Sequence, residues 1–224
     1  MTEVTGEDVA SAALALDEAR GDLERLESLL CGFVQLVCKR ISVGRHDSEW
    51  CRISGESRLK DAKGLARALS EQGLDVERIW EVDDFVGARA VVVLPSDAKL
   101  LADGLMAATE VHLTDLSLKE VRDEESGYRA IHIKGWLDDG GKRVGCEIQV
   151  RTGTQDVFGV WSRSHLYRSE SLAPVLVRLG KAQADHLAVI DESFEVIREL
   201  VNEYDVAPTA KTGSMAEESP PEVL

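Results

Sequence analysis

The sequence predicts an α/β (α+β) chain, a small β-sheet flanked by helices with a long helix at each end. Three observations predict it. The run FVGARAVVVL from Phe85 to Leu94 is too apolar and β-branched for a surface helix, so it reads as a buried strand, and a helical pattern follows it at once. Two further strand patterns, Tyr128 to Trp136 and Arg143 to Arg151, flank the turn-forming stretch LDDGGK and read as an antiparallel pair. Near each terminus, apolar residues recur at spacings of three and four, the signature of a long helix.

The first helix carries Val9, Ala12, Leu16, Ala19, Leu23, Leu26, Leu30, Phe33 and Val37 in one column, with Leu14, Leu29 and Leu36 widening the stripe. Such a helix packs on the domain or on a partner subunit, and Gly21 and Gly32 could bend it. After a polar segment from about Ser42 to Ser57 comes a short helix, Ala62 to Leu69, stopped by Gln72 and Gly73. Pro95, Ser96 and Asp97 end the buried strand and open a helix from Ala98 to Ala108. The Asp139-Gly140 step suits a tight hairpin turn. A helical stretch around Thr154 to Tyr167 precedes the last helix, Pro174 to Tyr204, which carries Leu187, Ile190, Phe194, Ile197, Val201 and Tyr204 at helical spacing. The tail has little to bury and is expected to be disordered. The organisation expected is an N-terminal helix over 1–44, a domain over 45–170, a C-terminal helix over 171–205 and a tail over 206–224.

At 224 residues, the chain suits one domain with extensions. Its 44% hydrophobic and 30% charged residues lie in the globular range. A net charge of −15 disfavours a broad grip on a nucleic-acid backbone, although a local basic pocket could still take small anions. The four cysteines, Cys31, Cys38, Cys51 and Cys146, form no CxxC pair and no zinc spacing, which suits a reduced interior. There is neither a basic-then-apolar start nor an apolar run of membrane length, so no membrane role and a cytoplasmic location are expected.

The chemistry concentrates in CEIQVRT. A strand period of two puts Glu147, Gln149 and Arg151 on one face and Cys146, Ile148 and Val150 on the other. Across the hairpin, Tyr128, Ala130, His132 and Lys134 share a face. If the two polar faces coincide, a ring, an imidazole, a carboxylate and several cations converge where a base could stack and phosphates be neutralised. The bland alternative is the wet side of an antiparallel sheet. Asp83 and Asp84 precede the buried strand, and an acid there can meet Glu147 on a neighbouring strand. Two such carboxylates are a usual holder of Mg²⁺, which keeps its waters and takes substrate phosphates as further ligands; capping or solubilising roles are the alternative. Arg58, Lys60, Lys63 and Arg67 make a basic cluster around the short helix and suggest a polyphosphate contact. No P-loop or GxGxxG is present.

In chain order, RLK at Arg58, DDFVGARAVV from Asp83, GYRAIH from Gly127, EIQVRT from Glu147 and a His-x-Tyr-Arg ending at Arg168 resemble the RelA/SpoT alarmone synthetase domain, over roughly Arg52 to Arg168. The length resembles the small alarmone synthetases. The resemblance implies a nucleotidyltransferase-like mixed sheet and transfer of the β,γ-diphosphate of ATP to the ribose 3′-hydroxyl of GDP or GTP with Mg²⁺, giving (p)ppGpp in the stringent response. It further implies that Asp84 holds the metal and that Glu147 ligates it or acts as general base. Arg58, Lys60, Arg67 and Arg89 would meet ATP, whereas Tyr128, His132, Gln149 and Arg151 would serve the acceptor, with Tyr128 stacking on its base. A homo-oligomer, tetrameric in such synthetases, is the assembly implied. The chain departs from the family at Gly64 and Ala68, where serine and lysine are usual, and at Glu124 and Ser126, where lysine and asparagine are usual. These departures leave two alternatives: a nucleotide-binding regulatory protein with weakened turnover, or a toxic synthetase acting on an adenosine nucleotide or a tRNA 3′ end.

Overall fold

The structure, a computed structural model, describes residues 4–42, 50–54, 60–108, 113–165 and 174–206. Arg58, the His-x-Tyr-Arg end at Tyr167 and Arg168, and the tail beyond 206 lie outside the described residues.

Helix α1 (Gly6–Ile41) runs continuously through both of its central glycines. A capping box starts it: the Thr5 side chain accepts from the Asp8 amide, and the Asp8 carboxylate accepts from the Thr5 amide at 2.8 Å. Glu7 and Asp8 in the first turn and Lys39 and Arg40 in the last suit its dipole. The column read from the sequence faces inward, with Ala12, Leu23, Leu26, Leu30, Phe33 and Val37 all buried, whereas Leu14, Leu29 and Leu36 are exposed. The helix packs against α2 (Ala62–Gln72), strand β2 (Val86–Val92) and α3 (Pro95–Ala107).

The sheet is mixed and five-stranded, in the order β1-β2-β5-β4-β3, where β1 is Cys51–Ser54, β3 is Leu113–Arg122, β4 is Arg129–Asp139 and β5 is Lys142–Thr152. Only β2 and β5 are parallel neighbours. Both are buried almost throughout, as a central parallel pair requires. The β4–β5 hairpin turns on Gly140 and Gly141, at φ 57° and 86°, because a two-residue turn that matches strand twist needs positive φ at both positions. The turn sits one residue beyond the Asp139-Gly140 centre expected. Helix α4 (Gly153–His165) follows β5 directly, and α5 (Pro174–Val206) packs on α4 and α3.

The sequence patterns miss β1, β3 and a 3-10 helix over Val76–Glu81. Strand β3 is an edge strand whose residues are mostly exposed, and its register slips between Thr114 and Ser117, with Asp115 at φ 54°. A bulge of this kind breaks the alternation by which a strand is recognised.

Candidate active site

Strand β5 aims Glu147, Gln149 and Arg151 to one side, while Cys146, Ile148 and Val150 enter the core on the other. Its neighbours complete the polar side. In register, β4 sets His132 opposite Gln149 and Lys134 opposite Glu147, and β2 sets Gly87 beside Glu147 and Arg89 beside Gln149. Register partners share a sheet face, so the two polar faces expected from the sequence coincide.

These side chains form a closed hydrogen-bonded circuit. Arg151 donates to the Tyr128 hydroxyl, and that hydroxyl lies 3.1 Å from His132 Nε2. His132 Nδ1 lies 2.9 Å from Glu147 Oε1. By the other route Arg151 donates to Gln149 Oε1 at 2.8 Å, and Gln149 Nε2 donates to Glu147 Oε2 at 2.6 Å. A carboxylate oxygen only accepts, so Nδ1 of His132 carries the hydrogen that points to Glu147. Both oxygens of a carboxylate only 5% exposed are thereby satisfied, as burial of a charge demands.

Arg151 is fully buried, and its guanidinium carbon stands 5.0 Å from the Tyr128 ring centre. Asp156 of α4 receives it at 3.3 Å and Arg89 at 3.1 Å on the same oxygen. Two guanidiniums thus share one carboxylate, and the Glu147 carboxylate stands in the same hydrogen-bonded group. Asp156 was not singled out in the sequence, although it follows the EIQVRT strand by a single helical turn. Gly159 lies one turn farther. A Cβ there would stand 2.5 Å from Arg151 Nη1 and 3.5 Å from the Tyr128 ring, so only glycine lets α4 close over the circuit.

Of the residues that the resemblance implies for ATP and metal, Lys60 precedes α2, Arg67 lies on it and Asp84 precedes β2. Asp84 pairs with Lys60 at 2.9 Å, just before Asp61 caps α2 by accepting from the Gly64 amide at 2.7 Å. Lys63 and Arg67 are exposed on α2, whereas Ala68, where a family lysine would stand, is buried in the core. Gly145 brings the segment before β2 against β5: its carbonyl accepts from the Phe85 amide at 3.1 Å, and a Cβ would meet the Val82 carbonyl oxygen at 2.1 Å. Asp84 thus lies in the turn that leads into β2, and Glu147 lies on β5, the parallel neighbour of that strand. Among the described residues no group of three or more His, Cys, Asp or Glu could hold a metal. Asp84 is engaged by Lys60, and both Glu147 oxygens accept from His132 and Gln149.

No family model and no curated protein matches the sequence. Solved structures do, and the fold they share with this chain is that of the small alarmone synthetases. Small alarmone synthetase 1 from Bacillus subtilis, bound to its product pppGpp, is similar over 84% of this chain and 96% of its own, with a TM-score of 0.65 and 19% identity. A GTP pyrophosphokinase family protein from Streptococcus pneumoniae is similar over 84% and 93%, with a TM-score of 0.64 and 18% identity. Small alarmone synthetase 2 from Bacillus subtilis is similar over 86% and 97%, with a TM-score of 0.59 and 18% identity.

Proposed function

We propose that the chain is a small alarmone synthetase, moving the β,γ-diphosphate of ATP onto the ribose 3′-hydroxyl of GDP or GTP. The observation that carries this reading is the circuit in which Arg151 feeds hydrogen bonds by two routes into the Glu147 carboxylate. Such a carboxylate is held in place close to two guanidiniums, which suits a transfer that depends on positioning and charge neutralisation more than on covalent help. The structure of Bacillus subtilis small alarmone synthetase 1 with AMPCPP supports an ATP-type donor.

In this reading Lys60, Arg67 and Arg89, with Arg58, bind the donor phosphates. Asp84, with Glu147, would hold Mg²⁺, which supplies charge neutralisation on those phosphates. Tyr128 stacks on the acceptor base, and His132, Gln149 and Arg151 hold the acceptor side. Glu147 takes the proton of the 3′-hydroxyl as its oxygen bonds to the β-phosphorus and the bond from that phosphorus to the α,β-bridging oxygen breaks, releasing AMP. His132 and Gln149 already donate to both Glu147 oxygens, so they orient the base, and entering substrate must displace one of them.

Incubation with ATP, Mg²⁺ and each of GDP, GTP and AMP tests the reading. A 3′-diphosphorylated nucleotide is expected with a guanosine acceptor, and no product with any acceptor overturns it. The occupied Glu147 oxygens and the buried Ala68 also favour a second reading, a nucleotide sensor that keeps the fold without turnover. Calorimetry separates the two, because tight nucleotide binding without product supports the sensor.

The homo-oligomer belongs to the same proposal. Val189, Ile190, Phe194, Ile197, Leu200 and Val201 of α5 are exposed large apolar residues, and monomers seldom leave so continuous a patch open. Part of it lines a groove of about 650 Å³ with Val93 and Leu94. A second copy of this chain, bringing the same helix, is the occupant proposed. Among the described residues no helix is long and apolar enough to cross a membrane.

A further inference from the structure

Cys38 lies near the end of α1, buried, and Cys51 opens β1, half-buried. They are 13 residues apart in sequence, yet their Sγ atoms are 3.1 Å apart and share a hydrogen bond. Both sides of the pair are fixed. Phe33, Val34 and Val37 anchor the α1 end in the core, and Cys51 is held in register with Val92. The Trp50 indole donates to the Ser42 hydroxyl, clamping the chain just inside both cysteines. A disulfide needs the sulfurs at about 2.05 Å, so bond formation from 3.1 Å asks for an approach of about 1 Å.

We propose that Cys38 and Cys51 are a reversible dithiol–disulfide pair, oxidised by a peroxide. The two thiols differ in a way that suits the chemistry. The Cys38 hydrogen bond holds the Cys51 thiol below its ordinary value, against opposing effects of burial and the Asp97 charge. Cys38 is pushed up by the same contact and by burial. Cys51, the more accessible and the more acidic, attacks the peroxide O–O bond: its sulfur gains one oxygen as sulfenic acid and the other oxygen leaves as hydroxide, which becomes water on protonation. Cys38 sulfur then displaces that oxygen as a second water, forming the S–S bond. Two thiols and one hydrogen peroxide give one disulfide and two waters. The bond would tie the end of the N-terminal helix to the first strand of the sheet.

The test is made on the full chain and reads mass, so its outcome is independent of any synthetase activity. The protein is treated with hydrogen peroxide, free thiols are blocked with iodoacetamide, and tryptic peptides are weighed. The expected result is a cross-link, two hydrogens lighter, between Leu26–Lys39 and His46–Arg52, abolished by dithiothreitol. Because the first peptide also holds Cys31, fragment ions must place the bond at Cys38. Cys31→Ser should keep the cross-link; Cys38→Ser should lose it and leave Cys51 sulfenic acid trappable by dimedone. Alkylation of both cysteines after peroxide, a bond to Cys31, or over-oxidation of Cys51 without a cross-link would each overturn the proposal, and the wild-type result stands even if the Cys38 variant folds poorly.

Discussion

At the scale of single residues, Glu147 and Gly159 make opposite demands on a mutant. Replacing Glu147 by Gln keeps its shape but removes the anion that accepts from both His132 and Gln149. Loss of a positioned base costs roughly 10² to 10⁴ in rate, so kcat of Glu147→Gln is expected to fall by about that factor, and the melting temperature to drop because the new amide NH2 faces a buried donor. For Gly159→Ala two effects compete. Alanine in a helix interior gains about 1 kcal/mol over glycine, whereas overpacking against the fully buried Arg151 costs about 1–3 kcal/mol. The cost wins, and a lower denaturation midpoint with loss of activity is expected. Gly32→Ala, with nothing within 4 Å of its added Cβ, should instead raise stability by about 0.5–1 kcal/mol. Urea titrations of the two variants read both signs.

Asp191 supplies the pH test at this scale. Its buried carboxylate accepts from Thr152 Oγ1 at 2.7 Å, and burial, the largest influence, raises its pKa above the ordinary carboxylate range. The folded state therefore holds this proton to higher pH than the unfolded chain does. Stability contributed by the protonated form is complete below the ordinary carboxylate pKa and is lost as pH rises through the raised value. Asp191→Asn keeps an acceptor for Thr152 without titrating. The difference in melting temperature between variant and wild type should grow in favour of the variant from acid pH to neutrality, and a difference independent of pH would contradict the assignment.

At the scale of elements, α1 and the β2–β5 pair decide whether the site exists. Leu30 of α1 is fully buried in the core, and Leu30→Ala should cost about 2–5 kcal/mol by denaturant titration. Gly145→Ala forces a Cβ onto the Val82 carbonyl, so the segment bearing Asp84 must move. Activity is expected to fall beyond what lost stability explains. These elements also show what sequence alone conveys. The α1 column was legible because every third or fourth residue is apolar, and the polar side of β5 because a strand alternates. Strand β3 was not, since its bulge and exposure erase any period. Neither were Gly145, Gly159 and Asp156, whose importance comes from approaches between segments distant along the chain or from a helix closing over a strand. Glu147, Gln149, Arg151 and His132 could be proposed from local pattern and resemblance, but the circuit joining them required the register.

For the whole molecule, the acidic chain buries two guanidiniums, Arg89 and Arg151, around one carboxylate. The Arg89–Asp156–Arg151 group on the sheet, with Lys60 beside Asp84, is where a polyphosphate would be held. The exposed apolar face of α5 lies on another helix, so assembly and chemistry are separable. Sedimentation should show a species heavier than 24.5 kDa, reduced toward that mass by Phe194→Glu. A monomer at all concentrations would remove the second copy from the account without touching the chemistry.

The most direct measurement follows the fate of ATP labelled at its β-phosphorus, with Mg²⁺ and GDP or GTP, in wild type and Glu147→Gln. Label should pass to the guanosine nucleotide with one AMP released per product, and the variant should bind an ATP analogue but transfer about 10² to 10⁴ times more slowly. Release of ADP instead of AMP, absence of labelled product from wild type, or undiminished transfer by the variant would contradict the account.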